Sequence, residues 1–364
     1  MSLLFQNISE DIINLSRKIY EKHFELDPGL EDEYDNTQKR LMYNDILFNL
    51  GYLDTAVRLQ DEKIFTEYSV WLYRLLCSLM KDLSKERVRD QVTGHFSVMK
   101  SVIKDKDNST FGDKDMALRL IELGKDAIVL ECDEFTETEM YSASDYMDIK
   151  KEYLGSLLNN DTRKAMEIIS NALKSGIKLE DIYTKILENA MHDVGDLWHK
   201  NIISVDKEHY ITSATQTALS QFYPIIYSNT KKNGYLLLSC AVGSELHEMG
   251  IRMISDLFEY HGWDTVYLGA ALPKEYILNS IEENRPDLIA LSVTMPPHLI
   301  LCKEIIDSIR ELFPDVLIAV GGRAFKTTDK MWEKWNADVY AEDAQQLLEW
   351  SERYIAGKAE GSPV

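Results

Sequence analysis

The chain has 364 residues, 45% hydrophobic and 28% charged, with a formal net charge of −21. That length accommodates two or three domains with substantial cores. A chain this acidic repels a nucleic-acid backbone unless bases cluster locally, and here lysines and arginines are interspersed with acids, so direct nucleic-acid binding is excluded.

Residues 1–140 lack strand alternation and carry few glycines. "ISEDIINLSRKIYEKHF" and "FTEYSVWLYRLLCSLMKDL" space apolar residues at three and four, the period of amphipathic helices. The first thirty residues are amphipathic and acidic rather than a signal peptide. The apolar runs of the chain are strand-length, so no membrane span is expected and the expected compartment is the cytoplasm. "IKDKDNSTFGDKD" (103–115) interrupts the helical pattern, and the acidic "LECDEFTETEMYSASD" reads as a linker or a solvated helix face. Cys77, Cys132, Cys240 and Cys302 are far apart with no CxxC spacing and read as reduced packing residues. His23 and His95 read as surface or packing histidines.

From Tyr146 four helical stretches follow: 145–161, 162–176, 178–200 and 204–228, with turns at Asp161–Thr162 and Gly176 and a cap at Ser204 or Asp206. After the polar "NTKKNG" (229–234) the pattern changes to short apolar runs at 235–241, 264–269, 287–294, 315–322 and 337–340, separated by helical segments. Alternating buried strands and helices predict an α/β fold with a doubly wound parallel five-stranded sheet. The expected domains are a helical sensory or interaction bundle (1–140), a four-helix cap (146–229) and a Rossmann-like, flavodoxin-like domain (234–356).

In such sheets ligands bind outside the carboxyl ends of the strands. "VGSELHEMG" follows the first strand there, and Glu245, His247 and Gly250 form E-x-H-x-x-G around Leu246. An acid two residues before a histidine can hold one ring nitrogen so that the other meets a metal. Taken alone, the motif suits a surface histidine in a polar loop equally well. Ser292 and Thr294 end the third strand, and Gly321–Gly322 ends the fourth, where the absence of a Cβ permits close approach.

In combination these residues resemble the base-off/His-on cobalamin-binding domain. The resemblance implies His247 as the lower axial cobalt ligand and Glu245 as its partner, where most of that family has Asp. It implies a cofactor-tail channel past Ser292, Thr294, Gly321 and Gly322. Trp198 followed by nine residues and then Glu208–His209 is similar to the cap signature of the CarH-like adenosylcobalamin photoreceptors. That similarity implies a non-enzymatic light sensor: Trp198 and Val205 against the adenosyl group, Glu208 supported by His209 on its ribose, and His199 ligating cobalt after photolysis. The implied output is a conformational or oligomeric signal to an unidentified protein partner. The alternative is a corrinoid methyl carrier of a methyltransferase system. The resemblance spans about residues 146–356; no winged-helix DNA-binding region precedes it, and a second ligand such as a bilin in residues 1–140, near Cys77 and His95, stays open.

Overall fold

The structure, a computed structural model, describes residues 9–105, 110–134, 142–228 and 231–359, with side chains to 355. The expected linkers 103–115, 130–145 and 229–234 therefore lie partly outside the described residues. The chain divides into two compact units: Met1–Glu137 with Met295–Ile300 and Lys326–Asp329, and the remainder.

The first unit is helical: α1 (Glu10–Leu26), α2 (Asn36–Leu59), α3 (Glu62–Leu79), α4 (Lys85–Ile103) and α5 (Lys114–Glu134). Its helix starts are marked locally. Ser9, Asp61 and Ser84 cap their helices, and Asp35 forms a capping box with Gln38. Gly124 of α5 lets α3 approach closely, since a Cβ there would lie 2.6 Å from the Ser69 hydroxyl. A polar chain joins α1 to α4, α2 and α3. His23 Nε2 meets His95 Nδ1 at 2.9 Å, His95 Nε2 meets Asn49 at 3.0 Å, and the Tyr68 hydroxyl donates to Asn49 at 2.8 Å. Burial and the neighbouring His23 push His95 down to about 3, so the pair is neutral near pH 7 and serves packing.

The second unit begins with α6 (Met147–Leu158) and α7 (Thr162–Lys174). A helix from Leu179 to His199 follows, widened into a π-helix at Ile182–Glu188 before α8 (Asn189–His199). The stretch read as a fourth helix divides into α9 (Val205–Ser220) and α10 (Tyr223–Ser228). The sheet region runs β1 (Leu236–Ala241), α11 (Met249–Tyr260), β2 (Asp264–Tyr267), α12 (Lys274–Asn284), β3 (Leu288–Ser292), α13 (Leu299–Leu312), β4 (Leu317–Gly321), β5 (Val339–Ala341) and α14 (Ala344–Ala359). All pairings are parallel, in the order β2-β1-β3-β4-β5. The expected α/β architecture with a parallel five-stranded sheet is therefore observed, each strand a residue or more shorter than its apolar run.

The strand order reverses between β1 and β3, so the loops after these strands open a crevice at the carboxyl edge. The helix α11 leaves that edge and belongs to two cores. Ile251 and Phe258 pack with Leu237, Leu288 and Ala290 of the sheet. Met253 and Leu257 pack with Tyr183, Ile186 and Leu219 of the helical cap. Among the described residues no helix is long and apolar enough to cross a membrane.

Candidate cofactor site

Three of the residues singled out in sequence converge at the crevice. The loop after β1 buries Glu245, whose side chain is 0% exposed, under the end of β3. Its Oε1 accepts the Thr294 backbone N–H at 2.8 Å, and its Oε2 lies 2.9 Å from His247 Nδ1. A carboxylate has no proton to give, so Nδ1 must carry the hydrogen, and in the neutral imidazole Nε2 is then the nitrogen with the lone pair. The imidazole itself is 58% exposed. A buried anion thus fixes the tautomer and orientation of an accessible ring, as supported metal-ligating histidines require. Among the described residues no three His, Cys, Asp or Glu are grouped to hold a metal ion.

Below the loop the sheet face is cut back. Register pairs Ser239 with Ala290 and Ala290 with Ala319, and one row further Ala241 with Ser292, Ser292 with Gly321 and Gly321 with Ala341. Strand residues two apart share a face, so these small side chains, the first row bounded by Tyr267 and Val339, lie on the α11 and α14 side, where Ala241, Ala290, Ala319 and Ala341 pack. The Ser239 hydroxyl is fully buried there and has no hydrogen-bond partner among the described residues. A buried orphan hydroxyl is costly. Together with the small side chains around it, it marks the place on this sheet face where a polar group would find a partner. The accessible imidazole and the unpaired Ser239 hydroxyl fit a cobalt corrinoid: His247 could bind its metal and Ser239 a polar group of it.

The glycine pair has a more immediate cause than ligand approach. Gly322 has φ +93°, and a Cβ there would sit 2.4 Å from the Val293 carbonyl oxygen, while one on Gly321 would sit 2.9 Å from that of Ala341. The close contacts are the protein's own backbone. Gly250, in the first turn of α11, has nothing within 4 Å of its Cβ position, and Leu246 stands exposed at the loop tip.

The other group of residues lies on the cap. Trp198 ends α8 beside His199 and is 36% exposed, and Ile202 and Val205 of the following turn are exposed too. The carboxylate of Glu208 is committed within its own helix: Oε1 accepts the Thr212 hydroxyl at 2.8 Å, and Oε2 meets His209 Nδ1 at 2.5 Å. Cap and sheet region are joined along α11, where the Tyr183 hydroxyl donates to Asp256 at 3.1 Å, Arg252 donates to the Tyr223 oxygen at 2.7 Å, and His261 pairs with Glu180 at 2.9 Å. Burial pushes Asp256 up to about 6, opposed by Tyr183 and Arg252. Sequence reasoning passed over Ser239, Tyr183 and Asp256. Ser239 is an ordinary serine in an apolar strand until register aligns it with alanines, and Tyr183 and Asp256 meet only in the folded chain.

Family models described as B12 binding domain match residues 149–223 and 236–349. Dimethylamine corrinoid protein 3 of Methanosarcina acetivorans is 22% identical over 207 residues, which is 56% of this chain and 96% of that protein. Monomethylamine corrinoid protein 1 of Methanosarcina barkeri is 24% identical over 197 residues, 52% of this chain and 90% of that protein. The solved structure of the M. barkeri monomethylamine corrinoid protein superposes with a TM-score of 0.51 at 23% identity, covering 56% of this chain and 97% of that one, a likeness of fold.

These relatives correct the expectation of an adenosylcobalamin light sensor signalling to a partner: the proteins similar to this chain are named methylamine corrinoid proteins. The light-driven ligation assigned to His199 falls with that reading. Glu208 itself holds Thr212 and His209, one on each oxygen. Through residues 149–223 and 236–349 this chain belongs to the cobalamin-binding proteins.

Proposed function

We propose that this chain is a corrinoid methyl carrier, serving methyltransferase partners rather than catalysing the transfer alone. The observation that carries the reading is the buried Glu245 presenting the accessible His247 at the carboxyl edge of the sheet. Relatives named dimethylamine and monomethylamine corrinoid proteins, matched over nearly their whole length, support it.

In this reading residues 234–356 hold the corrinoid from below and residues 146–229 cap it. His247 would hold the cobalt, with Glu245 orienting its ring so that Nε2 faces the metal. Ser239, Ser292, Thr294, Gly321, Gly322, Leu246 and Gly250 would line the path of its tail. Trp198, Val205, Glu208 and His209 belong to the upper side, with His199 beside them. A bound cobalt corrinoid supplies a metal centre that can take up and hand over a methyl group. The protein holds it in one orientation, shields part of its upper side with the Trp198 indole, and leaves room there for partner enzymes.

The test is binding of cobalamins to the purified chain. One equivalent of aquocobalamin should bind with an imidazole-nitrogen splitting in the electron paramagnetic resonance (EPR) spectrum of its reduced Co(II) form, and His247→Ala should remove that splitting. Methylcobalamin should bind at least as tightly as adenosylcobalamin. A tenfold or greater preference for adenosylcobalamin would refute the carrier reading, because a carrier must accommodate the smaller methyl ligand.

A further inference from the structure

A short segment at the entrance of the cap is fastened to the helix that ends in Trp198. Ser142 donates to Asp193 Oδ1 through its backbone N–H at 2.9 Å and its hydroxyl at 2.6 Å. Lys150 of α6 lies 2.6 Å from the other oxygen of Asp193, and donates to the Ser142 carbonyl and hydroxyl at 2.6 and 2.9 Å. Two residues on, the Ser144 hydroxyl donates to the Lys185 carbonyl at 2.6 Å, and Asp145 pairs with the Lys185 ammonium at 3.0 Å. The Tyr146 hydroxyl donates to Asp181 at 3.0 Å.

The Lys150 and Asp193 side chains are 0% and 1% exposed. Burying two ions costs so much desolvation that well-packed apolar residues of like volume often stabilise a protein as well or better. Stability alone therefore does not account for the pair. An apolar pair has no group to accept the N–H and bind the C=O of Ser142, an exposed residue, whereas this ion pair satisfies both. Ser144 adds a hold on the π-helix. The widened turn leaves carbonyls needing donors, and the Asn189 amide serves those of Thr184 and Lys185 at 2.9 and 3.3 Å while Ser144 serves Lys185 from outside. Each residue of an α-helix advances the chain by about 100°, so closing the wide turn would rotate the Trp198 end by about that angle relative to residues 179–181.

We propose that residues 142–146 are a strap that sets the position of Trp198 and His199, with Lys150 and Asp193 as positioning residues for the upper side of the corrinoid site. The proposal rests on the carrier reading above. Fastened, the strap holds the indole in its shielding position; released, it leaves the upper side more accessible to small ligands and partners.

The full chain carrying Lys150→Met with Asp193→Leu keeps an apolar-packed interior but loses the anchor, and Ser142→Ala removes only the hydroxyl contacts. Each protein is loaded with aquocobalamin, and the rate at which cyanide displaces the upper ligand is followed by absorbance. The double variant, which loses all four hydrogen bonds to Ser142, should react at least tenfold faster, tenfold being about what one charge-assisted hydrogen bond contributes, and Ser142→Ala, which loses two, should fall between it and the parent. The imidazole splitting in the EPR spectrum should be unchanged in both. In the corrinoid-free proteins, amides of residues 189–199 should exchange with deuterium about tenfold faster in the double variant, while those of 165–172 keep the parent rate. Cyanide rates equal to the parent with the imidazole splitting intact overturn the strap and leave the carrier reading standing. Failure of the parent chain to bind corrinoid, or to show the splitting, overturns both.

Discussion

Replacing Glu245 by Gln should uncouple His247 from a metal without unfolding the protein. The Gln side chain keeps an oxygen for the Thr294 N–H, which Glu245 binds at 2.8 Å. The opposite amide orientation would set two donors against each other there. The amide NH2 then faces His247 Nδ1, 2.9 Å away in the parent, and donates to it. The ring proton moves to Nε2, and the lone pair needed by a metal is lost. Outer-shell partners of ligating histidines typically contribute 10- to 100-fold in metal affinity, or roughly 1.4–2.7 kcal/mol. Aquocobalamin affinity, measured by absorbance titration, should fall by about that factor, and the imidazole splitting of the reduced form should disappear. The melting temperature of the corrinoid-free chain should stay close to the parent's, because both hydrogen-bond positions remain filled. Glu245→Ala, in contrast, leaves the Thr294 N–H unpaired and should lower stability by about 1–3 kcal/mol. Parent-like affinity and splitting in Glu245→Gln would refute the tautomer argument.

Ser239→Ala should stabilise the corrinoid-free chain by about 1 kcal/mol, since it removes a buried hydroxyl without a partner, and should weaken corrinoid binding several-fold; thermal melts and titrations check both, and a loss of stability would show that the hydroxyl is satisfied. Gly322→Ala should destabilise the second unit by about 3 kcal/mol or more, because its φ of +93° and the Val293 oxygen 2.4 Å from the added Cβ both oppose a side chain; denaturant melts followed by a tryptophan of that unit report it. Asp256 is raised from 3.8 to about 6 mainly by burial. The folded unit therefore holds this proton more tightly than the unfolded chain, and its contribution, complete below pH about 4, is lost as pH rises through 6. The difference is at most about 3 kcal/mol. Asp256→Asn should remove that slope and stabilise the unit above pH 6, as read from amide exchange in α11 between pH 4 and 8; an unchanged slope would assign it to other groups.

The sheet region was legible because buried parallel strands are continuous apolar runs, and "LIALS" or "LIAVG" admits few other readings at that length. The π-helix at Ile182–Glu188 was not, because Ile182, Tyr183, Ile186 and Leu187 are spaced as an α-helix would space them. The donors that serve its carbonyls, Ser144 and the Asn189 amide, are ordinary residues in the sequence. Glu245, His247 and the strand-end residues were legible as a local pattern. The setting of Ser239 was not, since Ser239, Ala290 and Ala319 become neighbours only through register. Gly321 and Gly322 were legible as positions intolerant of a side chain, yet the obstruction is the backbone of Val293 and Ala341.

Spacing alone was least informative at the cap. A tryptophan and an acid ten residues apart are brought to neighbouring helices by the turn at 200–204, but spacing does not say what the acid is bonded to. Thr212 lies one helical turn after Glu208 and His209 directly beside it, and both occupy the carboxylate. These bonds fix the orientation of the carboxylate and leave one acceptor site on each oxygen, so the interval by itself does not say which group it serves. Glu245 is a different case: its two partners, Thr294 and His247, come from the crevice itself, so its hydrogen bonds build the site. The same side chain in two short motifs therefore carries different weight, and hydrogen-bond partners, rather than residue intervals, decide which motif places a functional group.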